Sequence, residues 1–161
     1  MDIPGEEYMN ENKIAFIIGT NNQLYFNECC YYINRLLLPE GFERDVIGIE
    51  DAPSMCAGYN AGMQSSDAKY KVYLHHDVFI KAPKFIFYLL ERFRSAPDVG
   101  MIGMVGGCGM PKTGVAYLAW NKGTVDCREP DFAYQLICDP AQQADCPVDA
   151  VDGLLIATQY D

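Results

Sequence analysis

Two imidazoles and a carboxylate stand side by side at His75, His76 and Asp77, directly after the apolar run at 70–74. In an extended segment, residues i and i+2 project to the same side, so His75 and Asp77 could meet one cation. Oxygen ligands from carboxylate and phosphate suit Mg²⁺ or Mn²⁺, and an imidazole shifts the preference towards Mn²⁺. The pattern therefore predicts a site for a divalent cation. The cation would bridge two phosphates and stabilise the charge on a leaving nucleotide. The alternative is that both histidines are ordinary polar residues at the end of a strand.

Polar clusters also follow two earlier apolar runs. Thr20, Asn21 and Asn22 come after the run at 13–18, and Glu50 and Asp51 come after the run at 45–49. Ligands of open α/β sheets bind beyond the carboxyl ends of the strands, so the three clusters are expected at one rim of the sheet. The alternatives are a helix cap for Thr20 and Asn22, and a solvated turn for Glu50 and Asp51.

The elements that must position these clusters alternate along the chain. Apolar runs predict strands at 13–18, 45–49, 70–74 and 101–105, and helical spacing predicts helices at 23–38, 54–66 and 83–94. This alternation indicates an α/β class with a mostly parallel sheet. Further on we expect a break at Gly106 and Gly107, a hairpin over 115–125, a loop over 131–143 and a strand over 149–157. We predict a disordered or loosely docked tail at 1–12 and one domain from 13 to 161.

Composition limits the classes of partner. The formal net charge of −10 argues against nucleic acid and against an anionic membrane surface. The sequence has no apolar run of the roughly 20 residues that a transmembrane helix needs, and its acidic start is unlike a signal peptide. We therefore expect a cytoplasmic protein whose seven cysteines are reduced. An acidic chain must hold any phosphate with backbone amides, a metal ion or a few placed side chains.

The order of these motifs resembles that of the inverting family 2 glycosyltransferases with the GT-A fold. Residues 17–22 correspond to a first strand with the motif P-T-Y-N, and 28–30 correspond to E-C-L in the next helix. The stretch 58–63 is similar to A-R-N-x-G-L, and 69–77 is similar to E-Y-I-x-F-L-D-x-D. Residues 151–157 resemble the segment before the acceptor-site helix. The L-H-x-D-V form suggests a bacterial glycosyltransferase-like subgroup.

The resemblance implies a GT-A type nucleotide-diphospho-sugar transferase fold, with a Rossmann-like sheet flanked by helices and a small antiparallel addition. It implies metal-assisted, inverting transfer of a sugar from a nucleoside diphosphate sugar, UDP-linked, to an unknown acceptor hydroxyl. Asp77 matches the family's metal-binding Asp, with His75 beside it and Mn²⁺ or Mg²⁺ as the cofactor. The nucleotide-binding residues that it implies are Thr20, Asn22, Glu50, Asp51, Asn60 and His76.

Three departures from the family pattern bear on activity. His75 replaces the first Asp of D-x-D, and Tyr59 replaces the Arg of A-R-N, which removes a donor contact. The family's general base follows the last matched strand, and Asp152 is the substitute that we select near that point. The simplest explanation is a chain truncated before the acceptor half is complete.

Two other functions stay open from the sequence. A non-catalytic nucleotide-sugar-binding or assembly module fits the missing base and the lost Arg. A small metal-dependent hydrolase could use His75, His76 and Asp77, but such sites draw more ligands from elsewhere, and the chain has only two histidines. The sequence indicates neither the acceptor nor the oligomeric state.

Overall fold

The computed structural model describes residues 9–142 and 144–160. Strands and helices alternate in its first part, in the order β1 (Asn10–Gly19), α1 (Gln23–Asn34), β2 (Glu43–Ile49), α2 (Met55–Gln64), β3 (Ala68–His75), α3 (Phe85–Ser95) and β4 (Met101–Gly103). There follow β5 (Val105–Gly107), a 3-10 helix (Ala116–Ala119), β6 (Lys122–Arg128), β7 (Ala133–Ile137), β8 (Ala150–Val151) and β9 (Leu155–Thr158). This order confirms the predicted mixed α/β class.

The chain divides into two compact units. The first comprises the described residues at 9–101 and 157–160, and the second is Ile102–Ile156. The single domain that we expect from residue 13 onward stays a prediction. Of the expected tail, 1–8 lies outside the described residues, whereas strand β1 already begins at Asn10.

The first unit is built on strands β1, β2 and β3, which lie in one sheet in the order β2-β1-β3. Strand β1 pairs in parallel with β2 and with β3, and Gly19 lies opposite both Ile49 and His75. The ends of these three strands are therefore level with one another. The stretch 14–18 of β1 is fully buried, as expected for a central strand of a parallel sheet that is covered on both faces.

Helix α2 packs unusually close to this sheet because two of its buried positions are glycines. A Cβ at Gly62 would lie 2.3 Å from Ile17 Cγ2, and a Cβ at Gly58 would lie 3.0 Å from Ile49 Cγ2. The approach places the next residue, Tyr59, against the sheet.

A salt-bridge cluster fastens the start of β1. The Lys13 ammonium lies 2.9 Å from the carboxylates of Asp45 and Asp67. The hydrogen bond from Lys13 lowers the pKa of Asp67, and the two carboxylates raise the pKa of Lys13. The cluster connects β1 to β2 and to the turn before β3.

In the second unit the predicted hairpin and loop are both wrong. Strand β6 pairs antiparallel with β7, so the hairpin turn lies at 129–132, and part of the expected loop at 131–143 is a strand (Gln143 lies outside the described residues). Gly123, expected in a turn, is in β6 with φ 102°, where a Cβ would lie 2.1 Å from the Met104 carbonyl oxygen. Its glycine therefore serves a close approach of two strands. The segment before it forms the 3-10 helix.

The expected break at Gly106 and Gly107 is also wrong, because both residues belong to β5. A Cβ at Gly106 would lie 2.7 Å from the Ala150 carbonyl oxygen, and one at Gly107 would lie 2.3 Å from that of Ala119. These glycines permit close packing of neighbouring backbone. In place of the single strand predicted at 101–105, the structure has two short strands, β4 and β5, which are separated at Met104.

Smaller differences concern the ends of elements. The helix expected from residue 83 begins at Phe85, with Pro83 in the preceding turn, and the first helix ends at Asn34. The expected strand at 149–157 is two strands, β8 and β9. Among the described residues, no helix has the length and apolar character needed to cross a bilayer.

Candidate functional site

The carboxyl ends of β1, β2 and β3 border a concavity of about 500 Å³ in the first unit. Its lining combines the polar residues that follow the three strands with the first turns of α2. The lining residues used below are Thr20, Asn21, Asp51, Ser54, Gly58, Tyr59, His75, His76 and Asp77. Asn22, Glu50 and Asn60 lie outside this lining, so their nucleotide-binding role stays a prediction.

His76 is held by the loop that follows β1. Its Nδ1 lies 3.0 Å from Thr20 Oγ1 and accepts a hydrogen bond of 3.3 Å from the Asn21 backbone N–H. A backbone N–H can only donate, so Nδ1 is an acceptor and a neutral ring carries its hydrogen on Nε2. The imidazole also stacks on Tyr25, with ring centroids 5.5 Å apart. The arrangement leaves the Nε2–H as the donor that His76 can offer to a ligand.

Asn22 caps helix α1. Its side-chain oxygen accepts hydrogen bonds from the backbone N–H groups of Leu24 (3.0 Å) and Tyr25 (3.3 Å). This is the cap that the residue type suggested. For Thr20, the structure shows a different partner, since its hydroxyl lies between His76 and the backbone of Asn22.

Asp51 has a left-handed backbone, with φ 52°. Asp tolerates this conformation better than most residues, because its short polar side chain bonds locally, but the conformation remains uncommon. Such residues concentrate at ligand sites. Asp51 is exposed and lines the concavity, whereas the equally exposed Glu50 does not.

The segment that follows β3 is a turn. The Val78 N–H donates to the His75 carbonyl oxygen at 3.2 Å, and His76 and Asp77 form the turn between them. The prediction that His75 and Asp77 share one side of an extended segment is therefore wrong. Both nevertheless line the concavity. Within the described part of the chain, no cluster of three or more potential metal ligands occurs.

Tyr59 lines the concavity, whereas its position in the sequence indicated only the replacement of an Arg in the related family motif. Its ring lies 5.2 Å from that of Tyr73, and its Cε1 is 3.7 Å from where a Cβ of Gly19 would be. The hydroxyl is buried and has no hydrogen-bond partner among the described residues. Burial raises the pKa of Tyr59 to about 12, so the phenol is protonated at neutral pH. No pattern in the sequence indicated that this hydroxyl would be buried at the site.

The charged groups of the lining are all acidic. Asp51 and Asp77 contribute carboxylates, and the lining drawn from the described residues contains no Lys or Arg. A diphosphate in this concavity would therefore meet negative charge unless a cation accompanied it. A neutral nucleoside, in contrast, can donate hydrogen bonds to a carboxylate.

The selected general base, Asp152, belongs to the second unit. Its Oδ1 accepts a hydrogen bond of 2.9 Å from the Leu154 N–H, and its own N–H donates to the Val105 carbonyl oxygen at 2.8 Å. These bonds give Asp152 a role in the turn between β8 and β9. A catalytic role for it stays a prediction.

A family model described as "Glycosyltransferase like family" matches residues 15–161. No curated protein matches the chain. The matched region includes every residue of the concavity and both units of the fold from residue 15 onward.

Proposed function

Because this chain belongs to the glycosyltransferase-like family, we propose that it transfers a sugar from a nucleoside diphosphate sugar to an acceptor hydroxyl, with UDP as the nucleoside diphosphate. We propose a GT-A type fold for it and an inverting, metal-assisted reaction. The observation that carries the proposal is the meeting of Thr20, Asp51 and the turn at 75–77 in one concavity. The level ends of three parallel strands support it, since this is where open α/β sheets bind ligands.

In this proposal Asp51 and Thr20 bind the nucleoside, and His76 binds a phosphate. The Asp51 carboxylate accepts hydrogen bonds from N–H or hydroxyl groups of the nucleoside. The Nε2–H of His76 donates to a phosphate oxygen, since Nδ1 is already an acceptor for the Asn21 N–H. Thr20 and the Tyr25 ring hold the imidazole in place for this contact.

A divalent cation fits the donor set of the concavity. Mg²⁺ and Mn²⁺ are often bound by one or two protein side chains, with phosphate oxygens and water completing the coordination. Asp77 and His75 would hold Mn²⁺ or Mg²⁺ together with the diphosphate. When bound, the cation supplies positive charge that stabilises the leaving nucleoside diphosphate. The acidic lining supports this part of the proposal, because a diphosphate beside Asp51 and Asp77 needs a compensating positive charge.

The transfer is a single displacement at the anomeric carbon. The acceptor oxygen forms its bond to that carbon from the face opposite the leaving group, while the bond to the diphosphate oxygen breaks. A general base takes the acceptor proton, and the nucleoside diphosphate leaves with the electron pair. We propose Asp152 for the base.

A non-catalytic nucleotide-sugar-binding module is the second candidate. The observation that favours it is the hydrogen bond from the Leu154 N–H to Asp152 Oδ1, which engages the carboxylate in a turn. A donor-hydrolysis and transfer assay separates the two functions. Binding of UDP-sugar without any turnover in the presence of Mn²⁺ supports the module, and turnover that Asp152→Asn abolishes supports the enzyme.

The proposal is tested by calorimetry with UDP, GDP and UDP-sugars, with and without Mn²⁺. We expect UDP to bind more tightly with Mn²⁺, and Asp77→Asn to remove most of that gain because a carboxylate ligand is lost. Asp98→Asn removes the same charge from an exposed loop and serves as the matched control. If no nucleotide binds the wild-type protein, with or without Mn²⁺, the proposed function is wrong.

A further inference from the structure

A second concavity of the first unit lies at the opposite end of helix α1 from the candidate site. It has a volume of about 300 Å³ and is formed by the end of α1, the residues that follow it and the segment 80–83. Its lining consists of Tyr32, Arg35, Leu36, Ile80, Lys81 and Pro83. The proposed function does not use this concavity, so the chemistry of its lining indicates which ligand it fits.

The two walls of this second concavity are held together by contacts at both ends. The Tyr32 ring stacks on that of Phe79, with the ring centroids 5.3 Å apart. The Leu37 N–H donates a hydrogen bond of 2.8 Å to the Pro83 carbonyl oxygen. These contacts bracket the lining residues, so the concavity is part of the packed fold.

The charged groups of this lining are both basic. Arg35 contributes a guanidinium group and Lys81 an ammonium group, and no Asp or Glu among residues 9–142 and 144–160 belongs to the lining. The candidate site has the opposite charge, and the protein as a whole has a formal net charge of −10. Coulomb attraction therefore favours an anion at this one end of α1.

The carboxyl end of a helix ordinarily disfavours an anion, because its last carbonyl oxygens carry partial negative charge. Here the Arg44 guanidinium donates to the Ile33 carbonyl oxygen at 2.6 Å and to that of Leu36 at 3.3 Å. A cation outside the lining thus offsets the end of α1. Arg35 donates to the Tyr31 hydroxyl at 3.2 Å, a neutral partner that leaves the guanidinium charge to act on a ligand.

The rest of the lining is apolar or aromatic. Leu36 and Ile80 are buried side chains, and Pro83 and the half-buried Tyr32 extend the apolar surface. A hydrated inorganic ion gains little from such a surface, whereas a ligand with an apolar body gains from its burial. The volume, smaller than the 500 Å³ of the candidate site, suits a compound with one ring.

We propose that this second concavity binds a small organic oxyanion, a carboxylate or phosphate group that is joined to an apolar body. The Arg35 guanidinium donates paired hydrogen bonds to two oxygens of the charged group, and the Lys81 ammonium adds a second positive charge. The apolar body lies against Leu36 and Ile80. This site is independent of the nucleotide-sugar site and needs no metal ion.

Four probes, titrated by NMR without Mn²⁺, test the chemistry of the ligand. Benzoate and phenyl phosphate have both a charge and an apolar body, benzamide lacks the charge, and inorganic phosphate lacks the apolar body. We expect benzoate or phenyl phosphate to bind, and the tighter of the two identifies the charged group. Benzamide and inorganic phosphate are expected to bind about tenfold more weakly or not at all.

Substitutions at the two cations test where the probe binds. Arg35→Gln and Lys81→Gln are each expected to weaken the tighter probe about tenfold, the effect of one lost charge-assisted hydrogen bond at an exposed position. Both side chains are exposed, so the melting temperature is expected to stay that of wild type. Lys84→Gln removes the same charge from an exposed position outside the lining and is the matched control, expected to bind as wild type.

Asp77→Asn separates the two concavities. An affinity for the probe equal to that of wild type supports binding at Arg35 and Lys81, whereas a changed affinity would place the probe in the candidate site and overturn the inference. The inference is also wrong if neither benzoate nor phenyl phosphate binds, if benzamide binds as tightly as benzoate, or if Lys84→Gln loses as much affinity as Lys81→Gln. The proposed function is unaffected by each of these results, because it is measured by nucleotide binding.

Discussion

Replacing Gly62 by alanine tests how closely helix α2 must approach the sheet to place Tyr59 at the concavity. The new Cβ would start 2.3 Å from Ile17 Cγ2, in the fully buried part of β1. Carbon atoms pack at about 3.8 Å, so the helix or Ile17 must move by about 1.5 Å. The substitution therefore moves the helix that carries Tyr59.

The free energy of unfolding responds to two opposing effects. Overpacking of a core costs about 1–3 kcal/mol, and an overlap of this size favours the upper end. The higher helix propensity of alanine relative to glycine stabilises the fold by about 1 kcal/mol. We expect a net loss of about 2 kcal/mol, which corresponds to a decrease in melting temperature of roughly 4–8 °C for a chain of this size.

Chemical denaturation and thermal melting measure this loss, and a double-mutant cycle assigns its cause. Ile17→Ala removes the methyl group that the new Cβ meets, so Gly62→Ala is expected to cost less in that background than in wild type. Ala61→Gly, at an exposed position of the same helix, measures the propensity difference alone. A Gly62→Ala protein at least as stable as wild type would refute the reasoning.

Two further predictions concern His76 and the salt-bridge cluster at the start of β1. His76→Phe keeps a flat ring against Tyr25 but removes both nitrogens, so the dissociation constant for UDP, measured by calorimetry, is expected to rise about tenfold; unchanged affinity would exclude the phosphate contact. Lys13 lowers the pKa of Asp67 in the folded protein. The interaction of the two side chains therefore stabilises the fold fully above the pKa that Asp67 has in the unfolded chain. This stabilisation is lost as the pH falls through the lower pKa that Asp67 has in the folded protein. Asp67→Asn is therefore expected to melt below wild type at neutral pH, and the difference is expected to disappear in strong acid; a constant difference in melting temperature from pH 7 to pH 2 would contradict the assignment.

Much of the first unit was predictable because its signals are local. Continuous apolar runs identified β1, β2 and β3, and helical spacing identified α1, α2 and α3, each within a few residues of its observed ends. The second unit was predicted poorly. Glycines such as Gly123 look like turn residues in sequence, but their function there is to permit backbone approach by distant strands.

The candidate site was predictable in its location and less so in its detail. The polar clusters after the three strands were visible in the sequence, and the parallel pairing brings Thr20, Asp51 and the turn at 75–77 together. The shared side of His75 and Asp77 was inferred from an extended segment and fails because the chain turns at that point. Glu50 and Asn60 could not be separated from Asp51 and Tyr59 without knowing which side chains line the concavity.

The sequence by itself determined the alternation of strands and helices, the acidic charge and the polar ends of the strands, because these depend on residues close together in the chain. Only the tertiary structure decided that the imidazole of His76 lies within hydrogen-bonding distance of the Thr20 hydroxyl, a contact between residues separated by 56 positions. It also decided that the hydroxyl of Tyr59 is buried with no hydrogen-bond partner in the part of the chain that the structure describes, which follows from the approach of α2 to the sheet. The physical reason is that hydrogen-bond pairing and desolvation depend on which distant atoms become neighbours, and no local pattern records that.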